Sequence, residues 1–125
     1  MSWDAHARAS DDGKRSRRLT AAELAEFEAA AERVTDETGS ADGYLREGSL
    51  GLRASGRALG EATGRGVYPE TTEATVSSPW DWSPDDVKAA LASATWPEPA
   101  DLYQASARAF LETCARLGLG VFFSW

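Results

Sequence analysis

Apolar and polar positions along the chain fall into a helical period in three stretches and a strand-like pattern at the C-terminal end. In the strongest stretch, Leu102, Ala105 or Ser106, Ala109, Phe110, Thr113, Cys114 and Leu117 recur at spacings of three and four, which marks one apolar helical face. Pro99 suits the first turn of this helix, where its missing N–H removes nothing, and Gly118 suits the left-handed closing position. After Gly120 the residues Val121, Phe122, Phe123, Ser124 and Trp125 are β-branched or aromatic and predict a terminal strand. Exposing each large apolar side chain would forfeit about 1.5–3 kcal/mol, so this end is expected to be buried.

A second helix is predicted from residue 21 to about residue 38. Thr20 and Glu23 have the spacing of a capping box, and Leu24, Phe27, Ala31 and Val34 form a narrow apolar stripe ending before Gly39. Glu26, Glu32 and Asp36 make its opposite face acidic. A third, short helix is predicted from Ser83 as cap, with Pro84 in the first turn and Asp85 and Asp86 complementing the positive helix end. It runs through Val87 and Leu91 to Ala94, and Pro97 and Pro99 forbid its continuation.

The remaining segments carry weaker patterns. Residues 40–68 hold seven of the eleven glycines, and each glycine costs about 1 kcal/mol in a helix interior. Leu45, Leu52 and Leu59 fit a heptad, while Leu50, Leu52 and Ala54 alternate. The glycine cost favours short strands around a turn near Ser55, Gly56 and Arg57. Residues 67–78, rich in threonine and interrupted at Pro69, read as an edge strand. Residues 1–18 show no hydrophobic periodicity. With Lys14, Arg15, Arg17 and Arg18 they read as a mobile basic arm, tipped by Trp3, on a single domain spanning residues 19–125.

Composition narrows the chemistry. The net charge of −7 disfavours non-specific nucleic-acid binding and anionic membrane surfaces, and steers encounter towards a basic protein partner. No apolar run reaches the roughly 20 residues of a membrane span and no apolar signal segment opens the chain, so a cytoplasmic protein is expected. His6 is the only histidine and Cys114 the only cysteine, which removes His-based triads and a tethered zinc site, so no metal or cofactor is expected. The glycine spacing matches neither a phosphate-binding loop nor a dinucleotide fingerprint.

The sharpest local feature is Trp80–Asp81–Trp82. In an extended backbone residues two apart share a face, so both indoles point one way and Asp81 the other. The pair fits a clamp for a cationic or planar ligand with Asp85 or Asp86 nearby; it fits better as two indoles closing the core where strand gives way to helix. The expected architecture is α+β, with three helices packed on a small antiparallel sheet and a disordered N-terminal arm. Leu24, Phe27, Val34, Leu91, Phe110, Leu117, Val121 and Phe123 are its expected core. The expected function is non-enzymatic partner binding, as in an inhibitor, an immunity or antitoxin-type protein or an accessory subunit. The surface would be acidic and tryptophan-containing, formed by Trp80, Asp81, Trp82, Asp85, Asp86 and Trp96. The alternative is a small-molecule binder or carboxylate-based enzyme with a Trp-lined pocket.

Overall fold

Three helices of the molecule start on reciprocal caps. In the computed structural model, which describes residues 4–34, 44–46, 55–65 and 79–124, helix α1 (Ala21–Val34) opens with the expected Thr20–Glu23 box. The Glu23 N–H donates to Thr20 Oγ1 at 3.1 Å and the Thr20 N–H to Glu23 Oε1 at 2.7 Å. The helix at Pro84–Ser93 starts on the expected cap, Ser83, and Asp86 completes a reciprocal box with it. The long helix at Leu102–Leu117 starts on Asp101 and Gln104 instead of at Pro99, which lies outside it behind a cis Glu98–Pro99 peptide. Gly118, at φ 70°, closes it in the left-handed conformation.

A fourth helix corrects the expected count of three. Residues Ser55–Thr63 are helical, where short strands around a turn were expected. Burying Leu59 and Ala58 completely is worth more than Gly56 and Gly60 cost, and Gly64, at φ 67°, ends the helix with its N–H on the Gly60 carbonyl. In chain order the helices are α1, α2 (Ser55–Thr63), α3 (Pro84–Ser93) and α4 (Leu102–Leu117).

The sheet corrects the expectation of a disordered arm. Asp4–Arg8 forms β1, the central strand between β2 (Tyr44–Arg46) and β3 (Gly120–Ser124), and both pairings are antiparallel. Ala5, Ala7 and Ala9 are buried and alternate with half-buried His6 and Arg8, so the segment has a two-residue period written in alanine. Ala5 pairs with Phe123 and Ala7 with Val121 on the inner face; His6 pairs with Phe122 and Arg8 with Gly120 on the outer. The arrangement is a mixed α+β fold with helices against the inner face.

Helix α4 is the hub, packing against α1, α2, α3 and β3. Its buried arc is therefore wider than the expected stripe. Ala107 and Leu111 join Ser106, Phe110, Thr113 and Cys114 in the core, whereas Leu102, at 40 % exposure, leaves it. Phe110 meets Phe27 of α1 with ring centroids 5.7 Å apart. Of the expected core, Phe27, Phe110, Val121 and Phe123 are fully inside, and Leu91 and Leu117 pack against its margin. Leu24 is 39 % exposed, because α1 buries only the side of Phe27, Ala30 and Ala31. The Val34 side chain, Trp3, Trp125 and the expected edge strand at 67–78 lie outside the described residues.

Candidate functional site

The segment entering α3 runs along β3 on the side away from β1. The Asp81 and Trp82 N–H groups both donate to the Val121 carbonyl at 2.9 Å, and the Val121 N–H donates to the Trp82 carbonyl at 2.8 Å. Two residues facing one is the hydrogen-bond pattern of a β-bulge, which interrupts the alternation of faces. Trp80 and Trp82 consequently lie on opposite faces of the sheet, and the expected shared face is corrected.

Trp82 is 5 % exposed and packs edge-on against Phe123, with centroids 5.3 Å apart, as part of the core. The half-buried Asp81 accepts the Phe123 N–H on Oδ2 at 2.8 Å, closing an edge that would otherwise offer an unpaired donor. Asp86 belongs to the α3 cap, and its other oxygen faces Arg65 at 3.9 Å. Asp85 is exposed on the first turn of α3, and Trp96 packs half-buried on the core margin. The six expected site residues are thus dispersed, and no indole clamp forms.

What the structure does assemble is a cluster on the outer face of the sheet. The Trp80 ring lies over Gly120, filling the space a side chain there would occupy, and its indole Nε1–H donates to the Arg8 carbonyl at 2.9 Å. The Arg8 guanidinium stands 4.4 Å from the centre of the Phe122 ring. Burial lowers the Arg8 pKa from its ordinary value, and the negative charge of Asp81 opposes that shift. Sequence reasoning passed over Arg8 and Gly120. The alternation of Ala5, His6, Ala7, Arg8 and Ala9 was the available signal for the first, and nothing short of the Trp80 position marks the second.

Next to this cluster, β1 and the loop before α1 enclose an open groove of about 340 Å³. Its walls include His6, Arg8, Ser16, Arg17, Arg18 and Leu19. The loop is ordered by its carboxylates. Asp12 Oδ1 accepts the Lys14 N–H at 2.8 Å, the Arg15 N–H at 3.0 Å and the Ser10 hydroxyl at 3.2 Å, and these bonds lower its pKa, Arg15 contributing most. The Arg17 N–H donates to the Ala9 carbonyl at 2.9 Å, extending β1 by one bridge. The Arg17 guanidinium spans Asp11 at 2.9 Å and Glu23 at 2.8 Å, tying the loop to the α1 cap.

The Arg17 hydrogen bond, helped by the Thr20 N–H, holds Glu23 well below the ordinary carboxylate range, down to about 2. A carboxylate whose pKa is depressed on folding contributes stability above its unfolded value of 4.5, and that contribution is lost as pH falls from there towards 2. Glu23→Gln is therefore expected to lower the melting temperature at pH 6 while flattening its decline between pH 5 and pH 3. Thermal melts of both proteins across that range check this, and parallel declines would contradict it.

Cys114 is fully buried, and burial pushes its thiol pKa up, away from thiolate chemistry. Among the described residues no group of three or more His, Cys, Asp or Glu side chains is placed to hold a metal ion, and no described helix is long and apolar enough to cross a membrane. Comparison with protein-family models, curated proteins and solved structures gives no match to the chain.

Proposed function

We propose that the protein is a non-enzymatic binding domain that takes a protein partner on the outer face of its sheet, as an inhibitor, an immunity or antitoxin-type protein or an accessory subunit does. One observation carries this reading: the Trp80 ring is held in place on Gly120 by its bond to the Arg8 carbonyl, beside the Arg8–Phe122 stack. Tryptophan and arginine are the types that dominate interface energies, and side chains already ordered in the free protein lose little rotamer entropy on association. Exposed Asp85 and the net charge of −7 favour a partner with basic groups and a fast, salt-sensitive encounter. With Trp82 in the core, a pocket walled by Trp80 and Trp82 together is not formed.

The test is affinity capture from the host followed by reconstitution with the purified partner. Phe122→Ser is expected to weaken that complex at least about tenfold, chiefly through faster dissociation. Asp85→Lys is expected to slow association and reduce its salt dependence. A purified partner that binds both variants with wild-type rates would remove this face from the account.

A further inference from the structure

The groove beside β1 concentrates cations where the rest of the molecule is acidic. Three arginines and the sole histidine line it, together with Ser16, and among the described residues no carboxylate contributes to its walls in a chain of net charge −7. Among the described residues the acids of this loop and of the α1 cap are already engaged, two of them with Arg17 itself. Asp12 is turned into its own loop, Glu23 serves the α1 cap and Arg17, and Asp11 holds the Arg17 Nε–H. Arg17 has four of its five N–H donors engaged by Asp11, Glu23 and the Arg18 carbonyl, so its position is set and one Nη2 hydrogen is left. Arg18 is exposed, and its guanidinium has no ion pair among the described residues. Arg8, half-buried against Phe122, is a partly desolvated cation on the opposite wall.

We propose that this groove binds the phosphoryl group of a small phosphorylated molecule, with Arg18 as its principal charged contact, Arg17 and Arg8 flanking it and the Ser16 hydroxyl donating a further hydrogen bond. Guanidinium groups on two walls suit a tetrahedral dianion with several acceptor oxygens, where a planar carboxylate would be satisfied by a single fork. A volume of about 340 Å³ lies at the small end of ligand sites and leaves room for an organic remainder beside the phosphoryl group. The site goes beyond the partner face: it shares Arg8 with that face, but Arg18 and Ser16 are not part of it, and either proposal can fail without the other.

The experiment titrates the isotope-labelled full chain with inorganic phosphate, phenyl phosphate and acetate at constant ionic strength, following amide resonances of residues 16–19. Saturable shifts with both phosphates, tighter for phenyl phosphate and absent with acetate, are expected. Arg18→Ala should weaken apparent affinity about tenfold and Ser16→Ala less, both with the dispersed spectrum of a folded chain. Asp85→Lys, on the first turn of α3 and outside the groove, should leave phosphate binding within about twofold while slowing partner association, which separates the two sites. Non-saturable drift, equal shifts with acetate, or wild-type binding by a folded Arg18→Ala protein would each overturn the proposal.

Discussion

Gly120→Ala is expected to destabilise the fold by about 3 kcal/mol, a large effect for one methyl group. A Cβ at this position falls 2.5 Å from the Trp82 carbonyl oxygen and against the Trp80 indole. The carbonyl is fixed by its bond with the Val121 N–H, so relief requires moving the bulge or expelling Trp80 from its seat. With an ordinary urea dependence of 1–3 kcal/mol per molar, the midpoint should drop by roughly 1–3 M. Adding Trp80→Ala should restore only part of the loss, because the carbonyl remains. A Gly120→Ala protein within about 0.5 kcal/mol of the wild type would show that the ring does not sit over β3.

The second large effect concerns the central strand. Ala5 is fully buried on the strand between β2 and β3, so Ala5→Asp places a charge in the core. A loss of at least about 3 kcal/mol is expected, enough to unfold a marginal domain at neutral pH. His6→Asp, one residue on and on the outer face, should cost much less. Urea unfolding of the two variants reads the contrast directly. Equal, small effects would mean that residues 4–8 do not form part of the core.

Much of the helical framework was legible because its ends are chemically marked. Thr20 with Glu23 and Ser83 with Asp86 place two helix starts, and Gly118 places one stop, through local hydrogen bonds that need no tertiary context. What escaped was decided by packing. Alanine is a poor strand former, so the alternation of Ala5, Ala7 and Ala9 reads as a featureless arm until a neighbouring strand needs small side chains opposite Phe123 and Val121. In α2 the glycines oppose helix locally, and only the burial of Leu59 overrides them.

The candidate site was less legible for a related reason. Trp80, Asp81 and Trp82 were expected to alternate, and one bulge opposite Val121 reversed that order, sending one indole inward and the other outward. The acids near them were expected at a binding surface, yet Asp81 and Asp86 serve the edge of β3 and the start of α3. Lys14, Arg15, Arg17 and Arg18 stand out in the sequence as a basic cluster, but the turn built on Asp12 and the bond from Arg17 to Ala9 depend on β1 being in place and carry no local signal.

The pairing of Asp4 with Ser124 and of Arg8 with Gly120 imposes an order of events on folding. Helices can gain local hydrogen bonds early, whereas this ladder must bring together segments far apart in the sequence and bears a larger loop-closure entropy than the pairing of β1 with β2. During synthesis, β1 emerges well before β3 and must wait for it before this neighbour arrives.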